Sequence, residues 1–236
     1  MKVKKKRIAS EFIYISAILL LSFATNLMAL ADLGMSMIVS PAYILSQKID
    51  RLSYGQAEYI VAGILFVIFC LVMRKFKMSY LSSFITGLLY ATMADIWKMI
   101  IPLFHSLNIM PFSIRIIYFV IGLLLSAMAI AMFYNTYLYP QIYDFFVKEV
   151  SNKYHISLQK FKTGFDCTFL LISIILSLCL FHQFIGVGIG TVIMAFCNGT
   201  LIGFFQSLMD KYILCVPQLK KLYHYLETEG GKKNGI

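Results

Sequence analysis

Apolar residues run along this chain in long blocks, and polar residues gather in the short gaps between them. Blocks at 12–31, 57–73, 78–101, 114–134, 163–181 and 184–208 reach or approach the ~20 residues that cross a bilayer as a helix. Six crossings follow. Two further segments, 33–49 and 137–150, are shorter and interrupted by polar residues and proline. They read as re-entrant or amphipathic helices. Residues 28–31 followed by Asp32 also resemble a signal-peptidase site, but the apolar run is longer than a signal h-region and Asn26 interrupts it. The segment is therefore taken as the first span.

The element order occurs twice: span, short piece, span, tight turn, span. Aligning the turns places Leu33 on Leu138, Ser53 on Ser157 and Thr92 on Thr200. Three crossings per half is an odd number, so the halves enter the membrane from opposite faces. Inverted repeats of this kind recur in secondary transporters, with interrupted helices lining the substrate site. The expected fold is an all-α membrane bundle of six helices, arranged as two inverted three-helix repeats plus two short helices. The expected divisions are 1–110 and 111–210 for the repeats and 211–236 for a polar tail, ending in a disordered stretch from Gly230.

Composition agrees with the pattern. Hydrophobic residues make up 60% of 236 positions and charged residues 14%, and mean hydropathy is +0.79. Soluble domains hold about 25% charged residues, so there is too little polar surface to coat a soluble globule. A net charge of +10 raises nucleic acid as a partner, but the basic residues sit at the ends of apolar runs, where they meet lipid headgroups. No basic and aromatic face interleaves as in nucleic-acid binders.

With an internal N-terminus, the inner side receives 17 of the 21 Lys and Arg, including Arg74, Lys75 and Lys77, and four are left to the outer side or span ends. That bias places both termini in the cytoplasm. The five cysteines, at 70, 167, 179, 197 and 215, show no paired spacing, which argues against a disulfide framework or zinc site.

Two short motifs and one acidic residue give a family resemblance. Residues 31–36, Ala-Asp-Leu-Gly-Met-Ser, resemble the "A-D-L-G-x-S" that follows the first span in the YczE/YyaS/YitT-like bacterial membrane proteins. Residues 188–192, Gly-Ile-Gly-Thr-Val, resemble that group's "G-x-G-T-V" turn, and Asp95 sits where its third span often carries an acid. The proline and tryptophan usual after the first motif are replaced by Met37 and Ile38. The resemblance implies bacterial inner-membrane residence and a transport role.

Ionisable groups inside spans are costly and therefore mark candidate sites. Asp95 leads, with Thr92 three residues before it on the same face and Lys98 three residues after it as a neutralising partner. Asp166 follows Lys162 by four residues, as in a snorkelling ion pair. Glu58 reads as interfacial. Asp32 is placed to cap the short helix that follows it. Asn26, Asn135 and Asn198 are polar in apolar settings, suited to bonding across helices or to a ligand. Gly186, Gly188 and Gly190, and the Gly199–Gly203 pair, read as close-packing positions. His105, His155, His182 and His224 lack metal-ligand spacing, and Asn108 lies with His105 in the 103–111 loop.

No nucleophile, phosphate-loop or zinc motif occurs, so no cofactor, metal or enzymatic activity is expected. The leading function is a small-molecule or ion transporter working by alternating access. The alternative is a non-transporting membrane scaffold or regulatory partner. The bilayer is the expected partner, with a small-molecule or ion ligand, no nucleic acid, and homo-oligomerisation left open.

Overall fold

The computed structural model describes residues 5–105 and 110–230. Of the positions named above, Asn108, the His105 side chain, Lys2, Lys4, Lys232, Lys233 and the 231–236 tail lie outside the described residues. The described chain is a helical bundle. Its helices are α1 (Ser10–Ala31), α2 (Ser40–Lys48), α3 (Tyr54–Met73), α4 (Ser82–Ile100), α5 (Phe112–Tyr134), α6 (Ile142–Tyr154), α7 (Leu158–Phe181), α8 (Ile189–Tyr212) and α9 (Lys220–Gly230). Five of them, α1, α3, α5, α7 and α8, are long and apolar enough to cross a membrane. The outer faces of these helices and of α4 are apolar too: Phe12, Leu71, Ile85, Leu171 and Phe204 are all exposed, and Met99 of α4 is 81% exposed. Water would not tolerate so continuous an apolar coat, and lipid does. This is the build of a multi-pass membrane protein.

Local chemistry sets the helix ends. Ser53 caps α3 in a capping box, its hydroxyl accepting from the Gln56 amide at 3.2 Å while the Gln56 side chain accepts from the Ser53 amide at 3.0 Å. Pro41 sits in the first turn of α2, where its missing N–H costs nothing. Asp32, Arg74, His155 and His182 end α1, α3, α6 and α7 in the left-handed conformation, which closes the last turn. The last long helix begins at Ile189, five residues later than the apolar pattern places it, because Gly186 turns at φ 71° and Gly188 is extended.

At the centre, α1 and α5 run antiparallel in close contact. Ala17, Ala24, Ala31, Ala127 and Ala131 are fully buried there, and a Cβ on Gly122 would fall 2.6 Å from Met28 Cγ. Small residues allow that approach. Around this pair, α4 packs on α1 and α8 packs on α5. The short α2 packs on α3 and α7, and the short α6 packs on α7 and α3. One contact breaks the pattern. Gly199 and Gly203 seat α8 against Gln159 and Thr163 of α7, whereas α3 and α4 share almost no packing. They meet through Phe66 and Phe84, whose rings lie 5.5 Å apart.

The tail after α8 forms a strand and a helix. Strand β1 (Lys6–Ala9) pairs in parallel with strand β2 (Ile213–Val216). Glu11 then accepts from the amides of Gln218 and Leu219, at 2.9 and 2.8 Å, and from the Tyr137 hydroxyl at 2.7 Å. We call this end of the bundle the terminal end. The C-terminus of α3 lies with α6 here, where Lys153 donates to the carbonyls of Val72 and Met73. At the opposite, far end, Lys48 of α2 donates to Leu180 of α7.

A central cavity with a buried ion network

A cavity of about 1030 Å³ lies between the two sets of helices, lined from α1 through α8. Its walls reach from Asp144 and Lys162, at the starts of α6 and α7, to Asp32, Asp95 and Lys98 towards the far end. The two motifs that carry the family resemblance close on each other at that end. The Gly190 amide donates to the Leu33 carbonyl at 2.7 Å, and the Thr191 hydroxyl donates to the Met35 carbonyl at 2.6 Å. Gly34 and Gly188 touch backbone to backbone: a Cβ on Gly34 would lie 2.7 Å from Gly188 Cα. Only glycine fits such a crossing.

Lys162 organises the opposite end. Its ammonium lies 2.9 Å from Asp144 Oδ1 and 3.0 Å from Asp166 Oδ1, with Lys162 and Asp166 fully buried. The Tyr134 hydroxyl also donates to Asp144. Two carboxyl groups thus share one ammonium. The buried Lys148 donates to the Phe133 and Thr136 carbonyls at the end of α5, where the helix dipole favours a cation. Neither oxygen of Asp166 accepts a well-aligned hydrogen bond. Also without a partner are Tyr143 Oη and Asn198 Oδ1, on residues only 2% and 4% exposed, and Gln141 Nε2; all three residues line the cavity. Buried polar atoms are rarely left unbonded in proteins. Burial, and secondarily the Glu58 carboxylate, hold the Tyr143 phenol well above its ordinary pKa, so it faces the cavity as a neutral hydroxyl.

The structure sorts the sequence-based candidates. Asn26, Asp32, Asp95 and Asn198 line the cavity. Asn26 also bonds across helices, donating to the Ala94 carbonyl at 2.8 Å. Asp95 lies 3.9 Å from Lys98 as anticipated. Asp32 does not cap α2, whose N-cap is Val39. It terminates α1 and pairs with Arg115 at 3.1 Å, and Arg115 also donates to the carbonyls of Ala31 and Asp32. Asp166 lies behind Lys162, outside the lining, and the pair does not snorkel: it is sealed inside the bundle. Thr92 is exposed and bonds to Leu88 of its own helix, and Asn135 bonds to Ala131 at the end of α5. Neither joins the cavity. Glu58, expected at an interface, lines the cavity beside the Tyr54 hydroxyl. Asp144, Gln141 and Tyr143 were missed. The available signal was the spacing of Asp144 and Lys148, four apart among aromatic residues in a short segment that follows a span.

A profile described as a family of unknown function, DUF6198, matches residues 8–207. The chain belongs to that family. The match covers the cavity and every helix that lines it. No curated protein and no solved structure matches the chain. The likeness to YczE/YyaS/YitT-like proteins rests on the short motifs alone.

Proposed function

We propose that this DUF6198 protein carries a small molecule or ion across a bacterial inner membrane by alternating access. The carrying observation is the 1030 Å³ cavity, lined by both sets of helices and holding buried charge and unpartnered polar atoms. Intramembrane charge facing a bundle interior is costly and marks transport paths.

In this reading α4 is the sixth crossing and the halves are inverted repeats. The β1–β2 pairing supports the first point: it joins the start of α1 to the end of α8 at one end of the bundle, which requires an even number of crossings. Helix α4 has 19 residues, or about 28 Å, and Asp95 and Lys98 near its end lower its apolarity. Exchanging α1–α4 with α5–α8 preserves most of the packing described above, and Ser53 and Ser157 stand at the N-caps of α3 and α7. The short α2 then lies at the far end and α6 at the terminal end, as inversion demands. The positive-charge bias puts the terminal end in the cytoplasm.

The test is uptake by proteoliposomes. Protein reconstituted into liposomes and offered a panel of labelled metabolites and ions should concentrate at least one above protein-free controls. Failure with every compound sinks transport and favours the scaffold reading.

A further inference from the structure

We infer that the cavity selects a small organic cation and that Glu58 is its counter-ion. The inference rests on the cavity being the substrate site. Four carboxylates line the cavity, Asp32, Glu58, Asp95 and Asp144, against two ammoniums, Lys98 and Lys162. Arg115 balances Asp32, Lys98 balances Asp95, and Lys162 is shared between Asp144 and Asp166. Glu58 has no basic partner in an ion pair among the described residues; the Tyr54 hydroxyl adjoins it. A half-buried carboxylate in low dielectric is costly unless a cation joins it.

The rest of the lining suits the same charge. Tyr43, Tyr54, Tyr59, Tyr90 and Tyr143 contribute aromatic rings to the wall, and ring faces attract ammonium groups. Asn198 Oδ1 is an unpartnered, buried acceptor that an N–H donor would satisfy. Gln141 Nε2 is an unpartnered donor, which calls for one acceptor on the same ligand, as in an amino alcohol or amino ketone. Lys162 shows that the walls already hold one ammonium, between oxygens at 2.9 and 3.0 Å. An anion finds little in return. The start of α8 reaches the cavity, but its Gly188 amide is taken by the Thr191 hydroxyl and its Gly190 amide by the Leu33 carbonyl.

The discriminating experiment uses three probes of matched chain length: n-butylammonium, n-butanol and n-butanoate. Thermal unfolding of the purified full chain should shift upwards with the ammonium in a dose-dependent way, and not with the alcohol or the carboxylate. E58Q should weaken the ammonium effect on the order of tenfold, while E58D retains most of it. Equal stabilisation by butanoate or butanol overturns the inference, as does no response to the ammonium or an unchanged response in E58Q. Should E58Q fail to fold, the wild-type ranking of the three probes decides alone. Uptake separates the two claims. A cation that stabilises but never accumulates in proteoliposomes defeats transport and leaves cation selection standing. Accumulation of butanoate with no ammonium response defeats cation selection and leaves transport standing.

Discussion

Lys162 is the residue on which the interior depends most. Its ammonium lies between Asp144 and Asp166, and its side chain is fully buried. Replacing it by methionine keeps the volume but strands two carboxylates. Breaking a buried pair from one side costs about 3–5 kcal/mol, so K162M should unfold at a clearly lower temperature in detergent. Adding D144N and D166N to K162M should recover most of the loss, because the three neutral side chains strand no carboxylate. An unchanged unfolding temperature in K162M alone would contradict the network. Half of this cluster is legible in the sequence, since Lys162 and Asp166 are one helical turn apart. Asp144 is not, because it arrives from another helix across a turn, and tertiary placement of that kind leaves no periodic trace. Asp32 misled for a related reason. A carboxylate before a short helix looks like a cap, yet the residue that claimed it, Arg115, enters from α5 with no local signal of its partner.

Glycines divide the helices into those that must touch and those that stand apart. A Cβ on Gly188 would run into the Leu33 carbonyl oxygen and lie 2.8 Å from Gly34 Cα, so backbone blocks it on two sides. G188A should therefore destabilise by about 1–3 kcal/mol, read as a lower unfolding temperature. Gly87 on α4 also lines the cavity, but nothing lies within 4 Å of the Cβ it lacks. G87W should leave the unfolding temperature close to wild type while its indole fills the cavity and abolishes the response to n-butylammonium. A G87W variant that still responds in full would place the ligand elsewhere. The close-packing glycines at 186–190 and 199–203 are readable from sequence, since small residues at those spacings recur at helix contacts. That Gly87 faces open space is not readable, because it follows from α3 and α4 failing to pack where α7 and α8 do. The glycines that seat the second pair, Gly199 and Gly203, align with Ala91 and Asp95 in α4.

The whole molecule turns on the number of crossings. The apolar pattern gives six blocks, and the folded chain gives five helices of sufficient apolarity among the described residues, with α4 falling short. Sequence could not see β1 and β2, four residues each and more than 200 positions apart, because strands that short carry no usable alternation. Yet their pairing bears directly on the count. If α4 crosses, the α6–α7 junction lies on the same side as the 74–77 loop, and the α7–α8 junction lies opposite. If α4 does not cross, both junctions change sides. Asn152 and Gln183 are exposed at those two junctions and serve as reporters. In a background with the five native cysteines replaced, Q183C should react with a membrane-impermeant thiol reagent applied to intact cells stripped of their walls, and N152C only after the membrane is opened. F76C should react only after the membrane is opened in either arrangement, which makes it the internal control. Labelling of N152C from outside with protection of Q183C would reduce the crossings to five. It would also set the start of α1 and the end of α8 on opposite sides of a bilayer, where β1 could not pair with β2.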